Sequence, residues 1–264
     1  MFDTLRNPGF GYTPIAKAGG EAAFLQMDAG YLKLAPEQMC PLGGPHGETA
    51  ALLLCGSVEF FWEGGRCEAR RANPFDGLPY CLHLPANACA FVTALDDAEL
   101  LVLGTENGRL FPPKLYSSDD CSNSKAGAAE LSGTARRDIR TVFDYESAPH
   151  SNLVVGEVVS FPGRWSSVPP HHHPQPELYF YRFDRPQGYG ACFIGEDAFT
   201  VRHLSWAAIP GGLTHPQAAA PGYAMHYVWV IRHLDGDPWT KTRTVAAEHE
   251  WLLDPDADVR VPED

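Results

Sequence analysis

Basic residues are scarce: 20 lysines and arginines face 33 aspartates and glutamates, for a formal net charge of -13 over 264 residues. A surface of that sign does not suit a nucleic-acid backbone, whose binding needs a basic face. A small anionic substrate stays compatible, because a few arginines can serve a pocket inside an acidic protein. No Cys-x-x-Cys pair occurs among Cys40, Cys55, Cys67, Cys81, Cys89, Cys121 and Cys192. That argues against a structural zinc ribbon. The odd number of thiols predicts a cytoplasmic protein with reduced cysteines. No apolar run is long enough to span a bilayer. Residues 1–23 lack a basic stretch followed by an apolar one, so no signal peptide is read there. Long helical periodicity is also missing, and the helix candidates are two short segments, 36–39 and 246–253.

What is present is a set of short apolar runs, many carrying β-branched or aromatic residues. They fall at 50–55, 58–62, 90–94, 100–103, 153–161, 178–183, 190–194 and 224–231. Among 25 glycines and 23 prolines, turn signals such as Glu63-Gly64-Gly65 and Pro186-Gln187-Gly188 separate several of them. This is the pattern of an all-β sandwich or barrel rather than of alternating strands and helices. With 44% hydrophobic residues the chain can bury a real core. Residues 117–133 are rich in Ser, Asp, Gly and Ala, the composition of a linker or long surface loop. The chain thus divides into 1–116, a linker region 117–140, and 141–264. The two β-rich portions are of similar size, which hints at a duplicated barrel.

The densest chemical signal is Pro169-Pro170-His171-His172-His173-Pro174-Gln175-Pro176-Glu177. Residues two apart in an extended segment project to the same face, so His171 and His173 can share one ion while His172 faces away. Pro174 and Pro176 rule against a continuous inner strand and predict a bend after His173. Glu177 then opens a strand in which Glu177, Tyr179, Tyr181 and Phe183 share one face and Leu178, Phe180 and Arg182 the other. Downstream, Pro210-Gly211-Gly212-Leu213-Thr214-His215 predicts a tight glycine turn that aims a third imidazole inward. Three imidazoles and a carboxylate suit one divalent ion, zinc first, with manganese, iron, cobalt or nickel also compatible. The predicted metal ligands are His171, His173, Glu177 and His215.

These two elements match the paired motifs of the cupin superfamily, and the likeness goes further. Phe143-Asp144-Tyr145, Ser151 through Val158, Pro162-Gly163-Arg164-Trp165-Ser166-Ser167, Pro170 through Pro174, Glu177 through Phe183 and Pro186-Gln187-Gly188-Tyr189-Gly190 resemble the 5-deoxy-glucuronate isomerases of myo-inositol catabolism. So does the tail His249-Glu250-Trp251-Leu252-Leu253. The resemblance covers nearly all of the second half and extends loosely into the first. It implies an all-β bicupin of two jelly-roll-like barrels, with the metal in the second. It also implies a metal-dependent aldose–ketose isomerase converting 5-deoxy-glucuronate to 5-dehydro-2-deoxy-gluconate. The ion would act as a Lewis acid on the substrate carbonyl and its neighbouring hydroxyl. Tyr179 and Tyr181, on the inferred inner face, are the catalytic candidates. Arg164, whose planar fork suits a carboxylate, is a substrate-binding candidate together with Arg182, Gln187 and Tyr227. The partner is a small sugar acid, with a homo-oligomer compatible. The chain departs from the family pattern in the short spacing between His173 and Glu177, and in His226 and Trp229 of the last apolar strand.

Other residues read more plainly. Pro45-His46-Gly47-Glu48 sits where a first cupin motif is expected but lacks His-x-His, and His83 stands alone in an apolar strand. The first barrel is therefore expected to be metal-free and structural. In 225–231, alternation puts Met225, Tyr227, Trp229 and Ile231 on one face without saying which face is inner. Arg136, Arg137 and Arg140 read as a solvated basic patch, with substrate access the lesser alternative. Competing functions are isomerisation of a related uronate, an Fe(II) cupin dioxygenase, and a non-enzymatic sugar-binding cupin, since fold alone does not separate them.

Overall fold

The computed structural model describes residues 1–44 and 47–260. Pro45 and His46, the start of the expected first-barrel motif, lie outside the described residues. The regular structure is nearly all strand, in two barrels, the bicupin arrangement that the resemblance implied. The residues at 36–39, expected as a helix, form a turn with Glu37 at φ 66° that leads into the strand Met39–Leu42. The tail candidate is a 3₁₀ helix, Ala247–Leu253.

The N-terminal barrel is organised by one 16-residue strand, Gly47–Trp62. Its first part pairs with Tyr80–Leu84 and Ala98–Glu106, and its second with Gly65–Arg71 and Ala90–Ala94. The change of layer falls at a register shift between Leu53 and Cys55. Gly56 follows at φ 99°, and a Cβ there would stand 2.4 Å from the Asp97 carbonyl oxygen. Only glycine fits that bend. The barrel interior is aliphatic and aromatic, filled by Leu32, Leu53, Phe60, Leu82 and Val92 among others.

The C-terminal barrel opposes a seven-stranded sheet to a four-stranded one. The larger runs in the order Phe2–Thr4, Ser205–Ile209, Glu177–Phe183, Met225–Arg232, Leu153–Ser160, Arg137–Phe143, Ser122–Ala126. Four of these strands, Phe2–Thr4, Ser205–Ile209, Arg137–Phe143 and Ser122–Ala126, fall outside the apolar runs read from the sequence. Ser122–Ala126 and the first part of Arg137–Phe143 lie in the segment read as linker; Ser122–Ala126 forms the exposed, polar edge of the sheet and Arg137–Phe143 is the largely buried strand beside it. Phe2–Thr4 crosses from the N-terminus to cap the opposite edge, and Phe2 stacks on Phe199. The smaller sheet is Trp165–Ser166, Gln217–Ala219, Tyr189–Ile194, Asp197–Arg202.

Strand alternation sorts side chains between two cores. Leu178, Phe180, Val228 and Val230 turn toward the N-terminal barrel and pack with Tyr31, Leu52, Leu101 and Leu103. Tyr179, Tyr181, Phe183, Tyr227 and Trp229 turn into the C-terminal barrel. The faces predicted for Glu177–Phe183 are those observed, and Tyr227 and Trp229 are on the inner face.

The barrels are also joined by ions. Glu157 is fully buried and accepts two bonds from the Arg71 guanidinium at 2.8 and 2.7 Å. Arg140 approaches the same carboxylate at 3.6 Å and His226 at 3.2 Å. Arg140 further donates to the carbonyls of Pro74, Phe75 and Gly77 in the first barrel. The solvated patch expected at Arg136, Arg137 and Arg140 is thus corrected for two members: Arg137 and Arg140 are buried on opposite faces of one strand. His83 has the structural role expected of it, with its Nε2 3.1 Å from Glu48, which also accepts from Asn107, Ser151 and the Asn152 N–H.

Candidate metal centre

The His-rich segment folds as its prolines dictate. His171–His172 forms a two-residue bridge to Thr244–Val245, the chain bends at 174–175, and Glu177 opens the next strand. The glycine turn docks against that bend: the Gly212 N–H donates to the His173 carbonyl at 2.8 Å. A Cβ on Gly211 would meet the Pro174 oxygen at 1.8 Å, so the close approach requires glycine. One backbone contact thus brings the two motifs together.

Ligand atoms of His173, Glu177 and His215 all lie within 4.8 Å of one another, and all three residues are buried. Glu177 presents Oε1 to the His173 Nε2 and Oε2 to the His215 Nε2, each at 3.3 Å. His171 stands just outside this group, its ring 5.4 Å from that of His215. Two of the imidazoles are held by backbone carbonyls through Nδ1, His171 by Pro169 at 2.8 Å and His215 by Leu213 at 3.0 Å. Such a bond puts the ring proton on Nδ1 and frees Nε2 as a ligand. Glu177 Oε2 makes no hydrogen bond among the described residues although buried, an orphan that a cation would satisfy. The donor set, with its orphaned oxygen and free imidazole nitrogens, fits a divalent ion.

Burial and mutual contact set the charge states of the group. Burial favours protonated Glu177, but the charges of His215 and His173 and the bond from His173 outweigh it and hold its pKa at about 2. Burial pushes His171 down to about 4, the neutral form a ligand needs. Burial also opposes charge on His173, but its bond to Glu177 outweighs burial and raises it.

These residues line a cavity of about 380 Å³. Of the predicted site residues, Tyr179 and Tyr227 line it too, with the Tyr227 hydroxyl 2.9 Å from Ser166. Burial raises the Tyr179 phenol well above its ordinary value and Tyr227 to about 12, so both keep their protons near neutrality.

Four predicted residues are placed elsewhere. Tyr181 shares the inner face but lies deeper, fully buried, donating to Gln217 Oε1 at 2.7 Å. Gln217 in turn donates to the His215 carbonyl at 2.8 Å, so Tyr181 braces a ligand loop. Arg182 is on the opposite face, paired with Glu99 of the first barrel, because it alternates with the inward residues. Arg164 is held in a turn at the outer sheet, where its N–H bonds the Phe161 carbonyl. Gln187 is exposed in the turn after Phe183.

The cavity also contains residues outside the predicted site set, among them Arg137, for which substrate access was the lesser reading. Arg137, Ile139 and Thr141 enter from one strand at a spacing of two. Trp239, Lys241 and Arg243 enter at the same spacing from the tail segment that pairs with His171–His172. Trp239 packs 6.0 Å from the His173 ring and 5.8 Å from Trp229, and Lys241 pairs with Asp144 at 2.8 Å. The segment is not a regular strand and Lys241 has φ 66°, so no local pattern signals these three residues.

A model of the KduI/IolB family matches residues 11–252. The 5-deoxy-glucuronate isomerase of Geobacillus thermodenitrificans is 28% identical over 225 residues, 78% of this chain and 79% of that protein. Its counterpart in Bacillus subtilis strain 168 is 26% identical over 201 residues, 70% of this chain and 71% of that one. Among solved structures, an IolB-like protein of Salmonella typhimurium LT2 superposes with a TM-score of 0.86 at 22% identity, covering 96% of this chain and 99% of that chain. The oxalate decarboxylase of Lactobacillus farciminis gives 0.68 at 12% identity, covering 96% and 89%. At these identities the structural likenesses establish the fold.

Proposed function

The chain belongs to the KduI/IolB family, and on that premise we propose that it is a metal-dependent aldose–ketose isomerase converting 5-deoxy-glucuronate to 5-dehydro-2-deoxy-gluconate. The observation that carries this reading is the buried His173–Glu177–His215 group, with His171 beside it, at the wall of a cavity that a small sugar acid can enter. Relatives named for that isomerase over more than two thirds of the chain support the substrate.

The reaction moves one proton from C2 to C1 and the hydroxyl proton from O2 to O1, with no net oxidation. His171, His173, Glu177 and His215 would hold a divalent ion, which would supply Lewis acidity to the reacting end of the substrate. The protein's own residues stabilise the charge that develops. Tyr179 adjoins Glu177 and keeps its phenol proton, so it donates a hydrogen bond to the developing oxyanion. Tyr227, fixed by Ser166, presents a second neutral hydroxyl. Trp229 and Trp239, packed edge to face, form an apolar part of the cavity wall.

The test is turnover. Protein loaded with zinc, manganese or iron(II) should form the ketose from 5-deoxy-glucuronate without oxygen, and in deuterated water the product can carry label at C1. No turnover with any of these ions, or oxygen uptake coupled to loss of substrate, would overturn the reading.

A further inference from the structure

The structure assigns Arg137 as the residue that binds the substrate's carboxylate, at the end of the cavity away from the metal ligands. This rests on reading the cavity as a sugar-acid site.

Five arginines are buried: Arg71, Arg137, Arg140, Arg182 and Arg232. Four have a carboxylate within 4 Å. Arg71 and Arg140 are on Glu157, Arg182 is on Glu99, and Arg232 reaches Asp235. Arg137 has none among the described residues. One of its N–H groups donates to the Ala135 carbonyl at 2.7 Å. No other acceptor for its N–H groups is found among the described residues, and Arg137 lines the cavity. A buried guanidinium without a counter-ion is costly. Its fork geometry matches a carboxylate, and a bound carboxylate would remove the cost.

Register sets the position. Glu177 pairs with Ile231, Tyr179 with Trp229 and Tyr181 with Tyr227. Tyr227 pairs with Val158, and Val158 with Ile139. Arg137 is one inward step beyond Ile139, and its charge acts on the Tyr227 phenol. The other cations of the cavity do not compete well for this role. Lys241 is neutralised by Asp144 and Glu146. Arg243 is exposed and acts on His171, at the metal end. A sugar acid therefore lies with its carbonyl end at the histidines and its carboxylate at Arg137, which makes Arg137 the residue that selects a uronate over a neutral aldose.

The test compares D-glucuronate with D-glucose, a probe pair differing in the carboxylate, by calorimetry on the metal-loaded full chain. The wild type should favour the acid by on the order of tenfold to a hundredfold, the usual range for a charge-assisted bond. Arg137→Met should abolish that preference while leaving metal content and glucose binding unchanged. Arg137→Lys keeps the charge without the fork, so it should lose several-fold in affinity for the acid alone, and it carries the test if Arg137→Met does not fold. A wild type that does not prefer the acid, or an Arg137→Lys variant with the wild-type preference, overturns the assignment. Acid preference through Arg137 without isomerase turnover would sink the proposed reaction and leave the clamp standing. Turnover of 5-deoxy-glucuronate with unchanged KM in Arg137→Met would do the reverse.

Discussion

Arg71→Met removes the bidentate partner of a carboxylate that has no water to turn to. Glu157 and the Arg71 side chain are both fully buried, at contacts of 2.8 and 2.7 Å. After the substitution Glu157 keeps only Arg140 at 3.6 Å and His226 at 3.2 Å, and Arg140 is committed to three carbonyls of the first barrel. Breaking a buried pair in this way costs about 3–5 kcal/mol. At about 2–4 °C per kcal/mol for a chain of this size, the melting temperature should fall by roughly 6–20 °C. Adding Glu157→Gln to Arg71→Met should recover part of the loss, because the uncompensated charge is gone. The pH dependence has a definite sign. Burial favours protonated Glu157, but the Arg71 and His226 charges outweigh it and hold its folded pKa below the ordinary carboxylate value. Its stabilisation is therefore fully present above the unfolded pKa of about 4.3 and is lost as the pH falls below that toward the folded value. Thermal melts of wild type, single and double variants between pH 3 and 8 measure all of this. An Arg71→Met variant within about 1 kcal/mol of wild type, or a double variant no better than the single one, would refute the reasoning.

Two further outcomes follow from the cavity walls. Tyr179→Phe should lower kcat by on the order of a hundredfold with metal content unchanged, as expected for loss of a proton donor to the developing oxyanion; an unchanged kcat would remove Tyr179 from the chemistry. Gly156→Ala puts a Cβ 2.2 Å from Trp229 Cζ2 and 2.7 Å from the Arg140 carbonyl. Trp229 must move, at a cost of about 1–3 kcal/mol, which melting curves and a shifted tryptophan emission should both show.

Much of the candidate site was legible because each part is a local pattern. The alternation of His171 and His173, the prolines that force a bend before Glu177, and the Gly211-Gly212 turn ahead of His215 are all read within a few residues. The inner face of Glu177–Phe183 follows from period-two alternation in the same way. What was not legible depends on pairing across the fold. Arg137 and Arg140 look alike in a basic cluster, and only the register of their strand against Leu153–Ser160 sends one into the cavity and the other to Glu157. Arg182 had the right chemistry for a sugar acid on the wrong face. Trp239 and Arg243 reach the site because Thr244–Val245 pairs with the segment that carries His171, a contact between residues some 70 positions apart that no local pattern announces. The barrel duplication was visible in the spacing of apolar runs. The crossing of Phe2–Thr4 into the second barrel was not, since so short a strand leaves little signal.

The central claim is one catalytic ion per chain at His171, His173, Glu177 and His215. Its most direct measurement is a titration of chelator-stripped protein with a divalent ion, following bound metal and conversion of 5-deoxy-glucuronate together. The account predicts that activity rises in step with binding and saturates at one ion per chain, and that His173→Ala and His215→Ala bind little metal and stay inactive. Full activity in the stripped protein, or a His215→Ala variant that binds the ion as wild type does, would contradict it.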